Sequence, residues 1–392
     1  MTPRQPPPRP AWSWRSRAAR GLIYQAVALV VIALAVWFLA HNTQENMRVR
    51  GIQSGFDFLG SAAGFDIGET MIANDPSQSY GKAIWIGVLN TLRVAVLGIV
   101  LTTLLGVLLG VGRFSRNGLV RGLCYGYVEL FRNVPILLQM LMWYLFFVEV
   151  LPMPNQAWNL ADLFFLSKDG FSFPRPAPGT GYIWVLVGVL AGGVGAWFWR
   201  GRAQRRFELT GQDVNRAWPT VGIVLVGALI GWVVGGMPTQ WSVPERLTFM
   251  IEGGASMSPE FLAVLVSLVA YTAAFVAEVV RGGIQSVSLG QKEAAAALGL
   301  SPRLTMKRVV LPQAMRVIIP PLTNQYLNLT KNSSLAVAVG YPDVVSVANT
   351  TLNQSGRAVE CIAIIMLVYL STSLTTSLLM NWYNQRVAIK ER

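Results

Sequence analysis

Few side chains in this sequence are equipped to make or break bonds. The single histidine, His41, ends an apolar run far from both cysteines, Cys124 and Cys361, so it is read as a helix cap and no metal site is expected. Ser333 and Ser334 have no histidine or paired carboxylate to activate them, only Lys331 as a candidate base. A G-x-x-x-x-G-K-[ST] phosphate loop is missing as well, since Gly81-Lys82 is followed by Ala83. The chain is therefore expected to be no enzyme, to carry no cofactor and to hydrolyse no ATP by itself. Binding chemistry is what remains. Arg93 stands close to Asn90 and Thr91, and Lys331 close to Asn328, Asn332 and Ser333, each a cation with amide or hydroxyl groups inside an apolar run. Such sets suit a carboxylate. Glu278 and Arg281, three residues apart, have the spacing of an intrahelical ion pair.

The elements that must position these residues are membrane spans. With 392 residues, 53% of them hydrophobic, 13% charged and 13 tryptophans, the composition is that of an all-α polytopic membrane protein. Eight spans are predicted: 21–40, 84–112, 134–152, 181–199, 218–236, 260–280, 317–338 and 359–380. Residues 1–20 read as a disordered basic cytoplasmic tail, and 21–40 as an uncleaved extra helix. The polar stretch 41–83 reads as a periplasmic, interfacial hairpin. Placing both termini in the cytoplasm puts most Lys and Arg inside and most acids outside, so the net charge of +13 is a topological signature and not a nucleic-acid footprint. Both cysteines fall at or within apolar segments and read as free thiols. Phe131 to Pro135 should mark the cytoplasmic start of the third span. Arg93 then lies about 13 Å, and Lys331 about 10 Å, from the outer ends of their spans, so the two share a level. The seventh span is unusually polar. It must face protein or a water-filled path, because lipid rejects such a surface.

Between spans six and seven lies a basic stretch, residues 286–312, SVSLGQKEAAAALGLSPRLTMKRVVLP. Ser288 and Gln291 fit a capping box, the alanines propagate a short helix, and Gly299 is suited to end it in the left-handed region. Ser301-Pro302 then offers an N-cap and first-turn proline for a second helix, expected to stop at the Leu311-Pro312 break. The outcome is a helix-turn-helix elbow whose small side chains admit close docking of another backbone.

Glu293-Ala294-Ala295, Gly299 and Leu311-Pro312, at these spacings, resemble the EAA loop of ABC importer permeases. GVLNTLRVAVLG at 87–98, ELFRNVPILLQ at 129–139, the run 270–299 and LTKNSSLA at 329–336 are similar to the polar-amino-acid group, which serves histidine, glutamate, glutamine and arginine. The longer layout, with added spans 181–199 and 218–236, is similar to permeases of general L-amino-acid or glutamate/glutamine/aspartate/asparagine importers. That resemblance implies a type I permease domain over 84–388, with a five-helix core made of spans two, three, six, seven and eight. It implies coupling to an ATP-binding subunit through Glu293, Ala294, Ala295, Gly299, Leu311 and Pro312. It further implies a second permease chain (a paralogue sooner than a copy), a periplasmic amino-acid-binding protein and a bacterial inner-membrane setting. A secondary transporter or channel for small polar solutes, working without an ATPase, is the competing reading, although no inverted repeat is discernible.

Overall fold

Long apolar helices dominate the computed structural model, which describes residues 17–49, 51, 54–177, 179, 181–211 and 217–387. Most of the expected basic tail thus lies outside the described residues. Six described helices are long and apolar enough to cross a membrane, all but their polar ends matching the expected spans. They are α1 (Arg17–Val49), α2 (Tyr80–Gly112), α5 (Gly181–Thr210), α6 (Ala217–Val234), α7 (Pro259–Gln285) and α12 (Ala358–Val387). A seventh candidate is the bent pair α3 (Gly118–Asn133) and α4 (Ile136–Leu145, continued by a π turn Phe146–Val150), apolar enough together but with axes that differ by 103°, the geometry of a broken span or a re-entrant loop. The expected seventh span, 317–338, is α10 (Leu311–Asn332) followed by a 3-10 turn, Ser333–Val339, and it is too polar to count among the membrane-crossing helices. His41 caps nothing, because α1 runs on to Val49 and the imidazole stacks on Trp37 at 5.4 Å.

Contacts divide the chain into two units, 1–88 with 344–370 and 89–343 with 371–392. In the first unit, 61–80 forms a hairpin closed by an Ala62–Ser79 bridge, narrower than the hairpin expected over 41–83, because α1 extends to Val49. Phe58, Ala63 and Ile67 bury themselves against Tyr80, Ile84 and Ile86 of α2, Val347 and Ala348 of α11 (Val344–Ser355) and Cys361 of α12. Arg357 reaches Asp57 at 3.1 Å, and Glu360 accepts the Gly55 N–H at 2.6 Å.

The second unit is built on α7, where Ala263, Ser267, Ala270, Ala273, Ala274 and Ala277 are all buried. Small residues there let neighbours approach closely, the usual means of helix association in lipid. From α2, Gly106 and Gly110 meet Val276 and Val280, and Gly283 of α7 meets Ile318 of α10, so closely that an added Cβ would collide. Helices α5 and α6 pack on each other in the same way, with Gly188 against Gly227 and Gly181 against Gly235. Residues 158–176 and 241–257 hold short strands that the all-helical reading did not foresee. Among these, β1 (Trp158–Leu160), β2 (Phe164–Ser167), β3 (Gly170–Phe173) and β4 (Ala255–Met257) form one antiparallel sheet.

Candidate functional site

The elbow folds as two capped turns. Helix α8 (Leu289–Ala297) ends with Leu300 N–H bonded to Ala295 O at 3.1 Å and Gly299 N–H bonded to Ala296 O at 2.9 Å. This pair of bonds defines a Schellman motif, and Gly299 supplies its left-handed residue at φ +73°. Ser301 then accepts from Leu304 N–H, with Pro302 in the first turn of α9 (Pro302–Thr305). Ser288 occupies the N-cap of α8 but makes no side-chain cap bond, so the capping box is absent; its carbonyl accepts from Gln291 N–H instead.

The expected stop at Leu311-Pro312 does not occur. From α9 the chain passes through a π turn, Met306–Val310, directly into α10, where Pro312 occupies the first turn. A proline at 312 has no N–H for the Arg308 carbonyl and its ring would crowd that oxygen; the wider π turn just before it accommodates both. The elbow is therefore joined to a long helix without a break. Gln313 adds a 3.3 Å bond to Gln291 of α8.

Side-chain placement divides the predicted coupling residues. Glu293 and Ala294 are exposed, as are Ala297, Leu298 and Gly299, whereas Ala295 is 4% exposed and packs underneath. Leu311 is exposed and Pro312 half-buried.

Glu278 has more partners than the expected Arg281. Arg281 donates to Glu278 Oε1 through Nε at 3.1 Å and through Nη2. Arg113, just past the end of α2, donates to Oε2 at 2.5 Å, and Arg132 of α3 lies 4.0 Å from the same oxygen. Arg113 and Arg132 also stand over the Tyr125 and Phe275 rings. One carboxylate thus joins α2, α3 and α7 where they end. Sequence spacing could reveal only the pair on α7; the other two arginines come from distant segments, and their one signal was a position flanking an apolar run.

The expected substrate residues also separate. Asn90 is fully buried, its Nδ2 donating to Pro342 O at 2.9 Å and its backbone carbonyl accepting from Tyr341 Oη at 3.3 Å. Thr91 is buried, and so is Ser333, whose Oγ donates to Thr330 O at 2.7 Å. Arg93 is half-buried with its guanidinium 4.1 Å from the Phe261 ring centre. Asn328 and Lys331 are exposed and Asn332 half-buried. On α10 the exposed positions Val317, Pro320, Pro321, Asn324, Asn328 and Lys331 recur at helical spacing along one face. Ile318, Leu322, Tyr326 and Leu329 bury the other.

Residues 98–389 match the family described as binding-protein-dependent transport system inner membrane component. The chain is 45% identical to the general L-amino acid transport system permease protein AapQ of Rhizobium johnstonii, over 97% of this chain and 96% of that one. It is 44% identical to the putative amino-acid ABC transporter permease protein YhdX of Escherichia coli, over 97% of each. It is 39% identical to the glutamate/glutamine/aspartate/asparagine transport system permease protein BztB of Rhodobacter capsulatus, over 95% of each. With a family match over most of its length and relatives this similar from end to end, the chain belongs to the binding-protein-dependent transport system inner membrane components.

Proposed function

We propose that this chain is the permease subunit of an ATP-driven importer that moves polar L-amino acids across the bacterial inner membrane. The observation that carries the reading is similarity over nearly the whole chain to three permeases, each named for amino-acid transport. Both termini lie in the cytoplasm, as does the elbow, and a separate ATP-binding subunit docks on Glu293, Ala294, Ala297 and Gly299. Ala295, Leu311 and Pro312 hold that surface from behind. Closure of the ATPase pulls on α8, and the continuous path through α9 and the π turn carries the displacement into α10. The Glu278 cluster fixes the ends of α2, α3 and α7 against which the elbow moves.

The uncovered polar face of α10 is where a second permease chain, a paralogue, closes the path. A periplasmic amino-acid-binding protein delivers the substrate from outside. Asn328, Lys331 and Asn332 line this path and Arg93 borders it, the cations receiving the substrate carboxylate. Asn90, Thr91 and Ser333 shape it from their buried positions. Lys331→Met and Arg93→Met, made separately, are expected to raise KM for uptake about tenfold or more while leaving basal ATP hydrolysis near wild type. A parallel fall of transport and ATP hydrolysis, or unchanged uptake kinetics for every amino acid tried, contradicts this assignment.

A further inference from the structure

Behind the elbow is an apolar cavity of about 530 Å³, open on one side. Val111 of α2, Ile284 of α7, and Leu300, Met306 and Val310 of the elbow contribute apolar walls. Among the described residues that line it, Lys292 alone is charged, and the one other polar side chain is that of Thr305. Such a space offers water few hydrogen-bond partners, while its size falls within the range of small-molecule sites.

The docked ATPase does not account for it. At 100° per residue, Lys292, Ala295 and Ala296 fall on one side of α8, and Gly290, Glu293, Ala294 and Ala297 on the other. The cavity lies on the Lys292 and Ala296 side, away from the small, exposed face suited to docking. Its walls indicate another occupant. Val111 and Ile284 stand in the last turns of α2 and α7, both apolar and long enough to cross a membrane, so the cavity is at the depth where acyl chains give way to headgroups. Lys292 lines the space, the elbow also carries the exposed cations Arg303 and Lys307, and among the described residues no acid lines the cavity. A basic residue beside an apolar slot between helix ends matches an anionic lipid.

We propose that this cavity takes one acyl chain of an anionic phospholipid, with the lipid phosphate held by Lys292. The choice of the inner leaflet rests on the cytoplasmic placement of the elbow given above. A chain seated there fills the gap between α8 and the ends of α2 and α7, so anionic lipid would stiffen the elbow during coupling.

Binding is read directly, apart from transport, on the complete transporter in nanodiscs containing a phosphatidylglycerol with a diazirine near the end of one acyl chain. Adducts are expected on 106–114 and 300–306. Ala296→Trp, which fills the cavity, should reduce them roughly tenfold, and unlabelled phosphatidylglycerol should compete far better than phosphatidylcholine or inorganic phosphate. Lys292→Gln, at a partly exposed site, should erase the advantage of phosphatidylglycerol over phosphatidylcholine even if the tryptophan variant fails to assemble. Three outcomes overturn the proposal: undiminished labelling in Ala296→Trp, equal labelling from both lipids in the wild type, or labelling that disappears whenever the ATP-binding subunit is bound. Loss of amino-acid uptake with labelling intact would count against the transport reading and leave the lipid site standing.

Discussion

Glu278 gathers three arginines, Arg113, Arg132 and Arg281, around one carboxylate. Its two oxygens take bonds from Arg281 and Arg113, and Arg132 stands nearby, so neutralising it leaves three cations facing one another. Arg281→Gln removes one donor and leaves the Arg113 bond in place. Glu278→Gln is therefore expected to reduce transport-linked ATP turnover about tenfold or more, and Arg281→Gln by clearly less. Equal turnover in both variants and wild type would make the cluster irrelevant to coupling. Gly299 presents a different case, since its Cβ direction meets open space and only its φ of +73° resists substitution. Gly299→Val should cost about 1–2 kcal/mol locally and misalign α8 with α9, so the protein inserts but uptake fails. Normal uptake, with normal amounts in the membrane fraction, would remove Gly299 from the coupling surface. Local grammar made both residues legible: a three-residue spacing and a helix-ending glycine. It failed at Ser288, whose side chain makes no cap bond, and at Arg113 and Arg132, which reach Glu278 only through the packing of three helices.

The elements diverge from the sequence where proline and mixed polarity mislead. Leu311-Pro312 reads as a stop, but the π turn at Met306–Val310 admits the proline and keeps the chain helical from α9 into α10. Helix α3 escaped notice because its apolar residues fill only one face; Leu119, Leu123 and Leu130 are exposed, while Val128 is buried. The Phe131–Pro135 turn was readable, and the chain does bend there, with Gln139 Nε2 donating to Phe131 O at 3.0 Å and Val134 O at 2.8 Å. A cysteine in place of Arg132, with Cys124 and Cys361 removed, is expected to react with a membrane-impermeant thiol reagent only from the cytoplasmic side. Reaction from the periplasm would invert the topology proposed for every helix.

At the scale of the whole molecule, membrane class and span order were legible, because long apolar runs separated by charged loops leave little choice. The small sheet was not: strands of two to four residues have no room to display an alternating pattern. Helix α10 is the instructive exception, recognised because Asn324, Asn328 and Lys331 contradict an apolar surrounding, yet too polar to count as a span by composition. That conflict is the basis for assigning it to a path between two permease chains. The most direct test of ATP-driven import is uptake of a labelled amino acid into proteoliposomes containing the assembled transporter, with ATP sealed inside and the binding protein outside. Uptake should require both, and should be lost in Gly299→Val. Uptake that persists without ATP, driven by an ion gradient alone, would contradict the account and favour a secondary transporter.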